Sequence, residues 1–176
     1  MPKKDEGLQD LFVEELQGLL DGEKQMVRAL PAMARSASDE QLASALRQHL
    51  EVTKGQVERL GRIFESLDMK PKSRPSKGMR GLVAEGKEAI EREKGQAVKD
   101  MSIAGSARKV EHYEIAGYEN VAALARQLGM SDTAGLLQQT LDEEVQADRD
   151  LAALSKRLAS EAPQASYEEP EMAMHR

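Results

Sequence analysis

Residues 109–118 read KVEHYEIAGY. Glu111 and Glu114 stand three apart with His112 between them, and Tyr113 and Tyr118 lie alongside. The stripe continues on both sides: Ala104, Ala107 and Val110 before, Tyr118, Val121 and Ala125 after. Three- and four-residue intervals define one face of a helix, so Glu111 and Glu114 fall on or beside an apolar stripe. An unpaired charge on such a stripe costs several kcal/mol, so something in the fold must compensate these acids.

The rest of the chain favours the same kind of element. Of 176 residues, 40% are hydrophobic and 32% charged, but only 3% are aromatic and none is Trp. A core must therefore come from Leu, Ala, Val, Ile and Met, and the abundant Leu, Ala, Glu, Gln, Lys and Arg lose little rotamer freedom in a helix. No run of alternating β-branched residues suggests a strand, so the expected class is all-α. Length suits one domain over 1–160 with an irregular acidic tail over 161–176. The absence of cysteine removes disulfides and thiolate metal sites. No stretch reaches the apolar length of a membrane span, and MPKKDEGLQD lacks the apolar run of a signal peptide, so a cytoplasmic location is expected. A net charge of −6 argues against a general nucleic-acid binder, and the basic run KPKSRPSK at 70–77 reads as a solvated loop.

Periodicity predicts a helix from 7 to about 30, with the chain bending or stopping within SASD at 36–39. A second helix follows to about 67, with Ser38 or Asp39 as its N-cap. DMKPKSRPSKG breaks the pattern, and a shorter amphipathic helix is expected over 81–95. A third long helix spans about 98–128. LGMSD turns the chain, with Gly129 ending that helix and Ser131 or Asp132 capping the fourth, 133–158. Two hairpins joined by some thirty residues suit a single crossover along a four-helix bundle, the ferritin-like arrangement. Sliding the chain on itself by 91 residues supports an internal repeat: residues 20–67 fall on 111–158 with ten identities, and Glu23 falls on Glu114.

Polar residues interrupt the apolar stripes at matching places. Glu23 and Glu15 do so on the first helix, His49 with Thr53 on the second, Glu111 and Glu114 on the third, and Glu144 and Asp148 on the fourth. An arbitrary helical Glu is usually solvated and a lone inward His is usually a hydrogen-bonded core residue. Recurrence on all four helices changes the balance, since several like charges share a low-dielectric bundle only when protonated or bound to cations. The candidate metal ligands are Glu23, His49, Glu111, Glu114, Glu144 and Asp148. Carboxylates with imidazole suit iron or manganese, with zinc less expected. His112, about 100° off the stripe, reads as an interface residue, and the nine methionines as core filler.

LFVEELQGLLDGEKQMVRALPAMA, HLEVTKGQVERL, KVEHYEIAGY and LLQQTLDEEVQAD occur in this order over residues 7–158. Together they closely resemble the YciE/YciF-like bacterial stress proteins of the ferritin-like superfamily. The resemblance implies a ferritin-like bundle, a homodimer, a stress-associated role and a centre of one or two metal ions, with O₂ or H₂O₂ as reactant in an oxidase-, peroxidase- or catalase-like role. The superfamily pattern places one Glu on each of two helices and Glu-x-x-His on the other two. Glu23, Glu114 and Glu144 match its acids. Ala147 stands where a histidine is expected, and Thr53 and Gln56 stand where Glu and His are expected, with His49 a turn away. Those departures keep a second reading open, a non-enzymatic structural or interaction protein with a degenerate site. Iron storage would require a multi-subunit cage that no feature of the chain specifies.

Overall fold

The computed structural model describes residues 6–92 and 95–162, and helix is the sole regular secondary structure among them. Five helices follow in order: α1 Glu6–Ser36, α2 Glu40–Ser66, α3 Lys77–Ile90, α4 Gln96–Gln127 and α5 Ser131–Glu161. The expected tail lies outside the described residues from 163 onward, together with Met172, Met174 and His175. No described helix is long and apolar enough to cross a membrane.

The long helices form the expected two hairpins, α1–α2 and α4–α5, and α1 packs on α4 while α2 packs on α5. Asp39 caps α2, its carboxylate accepting from Leu42 N at 2.9 Å. At the same turn, Asp100 near the start of α4 accepts from the backbone N–H of Ser38 and Asp39 at 2.8 and 2.9 Å. Arg157 near the end of α5 reaches Asp39 at 2.6 Å. The α1–α2 turn, the start of α4 and the end of α5 thus share one end of the bundle, and the α4–α5 turn lies at the other. The connection from α2 to α4 must travel the bundle's length, which is the ferritin-like four-helix topology.

Several expected boundaries shift. α1 continues through Pro31 to Ser36, because Leu30, Met33 and Ala34 are buried on either side and hold a helix that proline alone would weaken. α3 begins at Lys77 rather than 81: Ser76 caps it, accepting from Met79 N at 3.3 Å. Gly129, at φ +74°, makes the left-handed turn after α4. Neither Ser131 nor Asp132 caps α5; the cap position is Met130, without a side-chain bond. The basic stretch before α3 is pinned rather than free. Arg74 N donates to Gln17 O at 3.0 Å, Ser76 N to Asp21 at 2.8 Å, and Arg74 pairs with Glu14.

The core falls into two apolar clusters. One, toward the α4–α5 turn, holds Phe12, Leu16, Leu20, Leu60, Phe64 and Val121 among others. The other, toward the α1–α2 turn, holds Met26, Leu30, Leu42, Leu46, Ile103 and Leu151 among others. Along each helix the polar residues stand between them: Glu23 between Leu20 and Met26, His49 to Gln56 between Leu46 and Leu60, Glu111 and Glu114 between Val110 and Tyr118, and Glu144 between Leu141 and Leu151. A polar layer therefore crosses the bundle at mid-length. Close helix approach at this level needs small residues: a Cβ on Gly117 would sit 2.8 Å from Leu19 Cδ2, and one on Gly78 2.6 Å from the Tyr113 ring.

Candidate metal centre

Four side chains meet in the polar layer. His49 from α2, Glu111 and Glu114 from α4 and Glu144 from α5 each offer one ligand atom, all within 4.8 Å of one another. The three acids are 0–2% exposed and His49 is 8% exposed. His49 Nε2 lies 3.3 Å from Glu111 Oε1 and 3.9 Å from Glu144 Oε2. Helix geometry explains the convergence: Glu111 and Glu114, three apart, stand one above the other on the inner face of α4, opposite the inner faces of α2 and α5.

Glu23 borders this set without being one of the four. It is fully buried, and one oxygen accepts the Tyr118 hydroxyl at 2.5 Å. Asp148, expected in the cluster, is engaged elsewhere. Arg108 donates to it at 2.8 Å and His112 Nε2 lies 3.4 Å away, so its charge is satisfied at the α4–α5 edge. Asp148 shares a face with Glu144 by spacing, but its ion pair with Arg108 draws the carboxylate to the α4–α5 edge. Glu15 is half-buried and stands apart from the layer. His112 is 62% exposed at its side chain, on the outside of the same edge.

Sequence reading missed a second polar set that braces the first. Gln56 donates its amide to Glu144 and, at 3.2 Å, to Glu143. Arg59 makes a two-pronged contact with Glu143 at 2.9 and 2.8 Å and donates to Thr140 at 2.6 Å. Arg59 is only 7% exposed. The available signal was the spacing of His49, Thr53, Gln56 and Leu60, which already put residues 53 and 56 inward. An inward Arg59 beside Leu60 has no periodic signature. Thr53, where a ligand Glu was expected, spends its hydroxyl on His49 O at 2.9 Å.

Burial and mutual repulsion disfavour the ionised forms of the clustered acids. Burial pushes Glu23, Glu111 and Glu114 well above their usual carboxylate value, and neighbouring carboxylates push them further: Glu144 for Glu23, Glu144 and Glu114 for Glu111, Glu23 and Glu144 for Glu114. Burial and the adjacent Glu23 raise the Tyr118 hydroxyl. Burial lowers His49, although Glu144 and Glu143 pull the other way. Burial would raise Glu143, but the Arg59 hydrogen bonds and charge outweigh it and leave it lowered. Glu23 Oε2, Glu111 Oε2, Glu114 Oε1, Glu144 Oε2 and His49 Nε2 find no hydrogen-bond partner among the described residues. Each orphaned buried group costs about 1–3 kcal/mol or more. Carboxylate oxygens and an imidazole nitrogen converging without partners fit a hard or borderline divalent cation, and the donor set suits iron or manganese.

Fold and site together define a class: a ferritin-like helical bundle with a carboxylate–imidazole layer buried at mid-length. The chain belongs to the family described as domain of unknown function DUF892, whose profile matches residues 7–163. It is 42% identical over 149 residues to protein YciF of Escherichia coli K12, covering 84% of this chain and 90% of that protein. The crystal structure of the E. coli stress protein YciF superposes with a TM-score of 0.85 at 39% identity, covering 92% of this chain and all of that one. YcfI from Rhodopseudomonas palustris, provisionally described as a structural protein, superposes with a TM-score of 0.81 at 35% identity, covering 86% and 97%. A Xanthomonas campestris protein shares the fold at a TM-score of 0.70 and 22% identity.

Proposed function

We propose that this chain is a stress-associated, metal-dependent bundle protein of the bacterial cytoplasm, with iron or manganese held by His49, Glu111, Glu114 and Glu144 and with O₂ or peroxide as the reactant. One observation carries the reading: three buried glutamates and a buried histidine present unpartnered ligand atoms to a common point. A bound iron or manganese ion would supply Lewis acidity and one-electron chemistry toward a small oxidant. The chain's own contribution is to hold the ligands, exclude bulk water between two apolar clusters, and keep Glu23 and Tyr118 hydrogen-bonded beside them. Similarity to the E. coli stress protein YciF supports the physiological setting. Glu23, whose charge bears on Glu114 and whose Oε2 has no partner among the described residues, is the candidate ligand for a second ion.

A second reading is favoured by Thr53 and Gln56. They stand where ligands are expected, and Gln56 already occupies an oxygen of Glu144. In that reading the layer is a remnant, Gln56 and Arg59 stabilise it, and the bundle acts through its surface. Peroxide consumption by Fe²⁺- or Mn²⁺-reconstituted protein, compared with metal-free protein and with free metal at equal concentration, separates the two. Turnover above free metal supports the enzyme; metal binding without turnover, or none, supports the structural protein.

A further inference from the structure

Glu111, Glu114 and Glu144 are buried, and His49, alone of the four, lines one of the two best-formed cavities among the described residues. That cavity is an open groove of about 650 Å³ between α2 and α5. Small side chains line it: Ala45 on α2, and Gly135 and Ala147 on α5. Ala147 is the position where the superfamily pattern expects a histidine, so the departure that removes a ligand also removes a wall. Among the residues lining the groove, Asp142, Glu143 and Asp150 are acidic and none is Lys or Arg. Glu143 is neutralised by Arg59, whereas Asp142 and Asp150 are exposed and pair with no cation among the described residues. Gln138 and Gln146 donate to them at 3.0 and 2.9 Å, fixing carboxylates at the rim. At the floor His49, more than nine-tenths buried, carries an Nε2 with no hydrogen-bond partner among the described residues. The smaller cavity, between α1, α3 and α4, touches none of the four.

We infer that the α2–α5 groove is the entry port of the centre for hydrated divalent cations, with Asp142 and Asp150 as electrostatic guides and His49 as the first ligand met. The inference rests on the proposed metal reading and adds the route. A hydrated ion fits the groove, and an acidic mouth with low-dielectric walls raises local cation concentration and on-rate. Two further ligand oxygens, on Glu111 and Glu144, lie within 4 Å of His49 Nε2. Inward transfer then exchanges water for carboxylate one ligand at a time.

The test is stopped-flow loading of the full chain with Co²⁺, whose ligand-field absorption reports entry, at low and high ionic strength. Asp142→Asn/Asp150→Asn is expected to slow loading about three- to tenfold at low salt, with the difference shrinking at high salt. Ala147→Phe, which refills the wall, is expected to slow loading at both salts. Final stoichiometry should stay at the wild-type value, with unfolding midpoints confirming that each variant folds; the acid variants, altered only at exposed sites, suffice should Ala147→Phe not fold. Unchanged rates at wild-type stoichiometry overturn the port and leave the centre standing. A stoichiometry lowered by the acid variants also overturns it, since Asp142 or Asp150 would then be a ligand. No Co²⁺ bound by the wild type removes the centre and the port together.

Discussion

Glu114 shows how much one residue of KVEHYEIAGY carries. It is 2% exposed, has an oxygen without a partner among the described residues, and lies near enough to Glu23 and Glu144 for their charges to disfavour its ionised form. Glu114→Gln keeps the shape and removes the repulsion, so the metal-free variant should be more stable by about 1 kcal/mol or more, a rise of about 2–4 °C in Tm per kcal/mol. A solvated or salt-bridged glutamate would instead give a small loss, which calorimetry detects. The pH dependence follows from the same groups. Glu23, Glu111 and Glu114 have folded values above the usual 4.5, so their contribution to stability is fully present below 4.5 and is lost as pH rises through the raised values. His49, lowered from 6.5, works in the opposite sense, adding stability above 6.5 that is lost as pH falls through its folded value. Three acids outweigh one imidazole. The denaturation midpoint of metal-free protein should therefore rise as pH falls from 7.5 toward 5.5, whereas metal affinity, which needs ionised ligands, should fall over the same range. A metal-free midpoint that falls on acidification would contradict the buried-acid account.

At the scale of elements, the amphipathic stripes of α1, α2, α4 and α5 were plain from spacing alone, because each helix buries one continuous face. Their ends were less so. The periodic stripe of α1 was followed only to about residue 30, yet burial of Leu30 and Met33 carries the helix through Pro31 to the expected stop at Ser36. Glu111, Glu114 and Glu144 were legible as acids interrupting apolar stripes, and His49 was legible because it continues the line of Leu42 and Leu46. Asp148 was misplaced because periodicity fixes a face only to within tens of degrees, and Arg108, which draws it outward, lies forty residues away. Arg59 and Glu143 were missed for a similar reason: a buried arginine paired with a half-buried glutamate on another helix leaves no local pattern. Asp100 belongs to this class too. It is 3% exposed and accepts the N–H groups of both Ser38 and Asp39, tying α4 to the opposite hairpin. Asp100→Ala orphans both donors and is expected to cost about 2 kcal/mol or more in chemical denaturation; a loss below about 0.5 kcal/mol would mean that water satisfies that turn.

For the whole molecule, the crossover topology was readable from two short turns and one long connection, and the mid-length polar layer from the alignment of the two halves. The resemblance to YciE/YciF-like proteins implies a homodimer with two-fold symmetry, and light scattering at micromolar concentration should return twice the 19.4 kDa chain mass; a monomer would contradict it. The central claim is that the layer binds metal, and equilibrium titration with Mn²⁺ and Fe²⁺ under anaerobic conditions, read by elemental analysis after desalting, tests it most directly. The account predicts at least one ion per wild-type chain and a sharply reduced content in Glu114→Gln. Equal content in the two proteins, or no metal retained by the wild type, would contradict it.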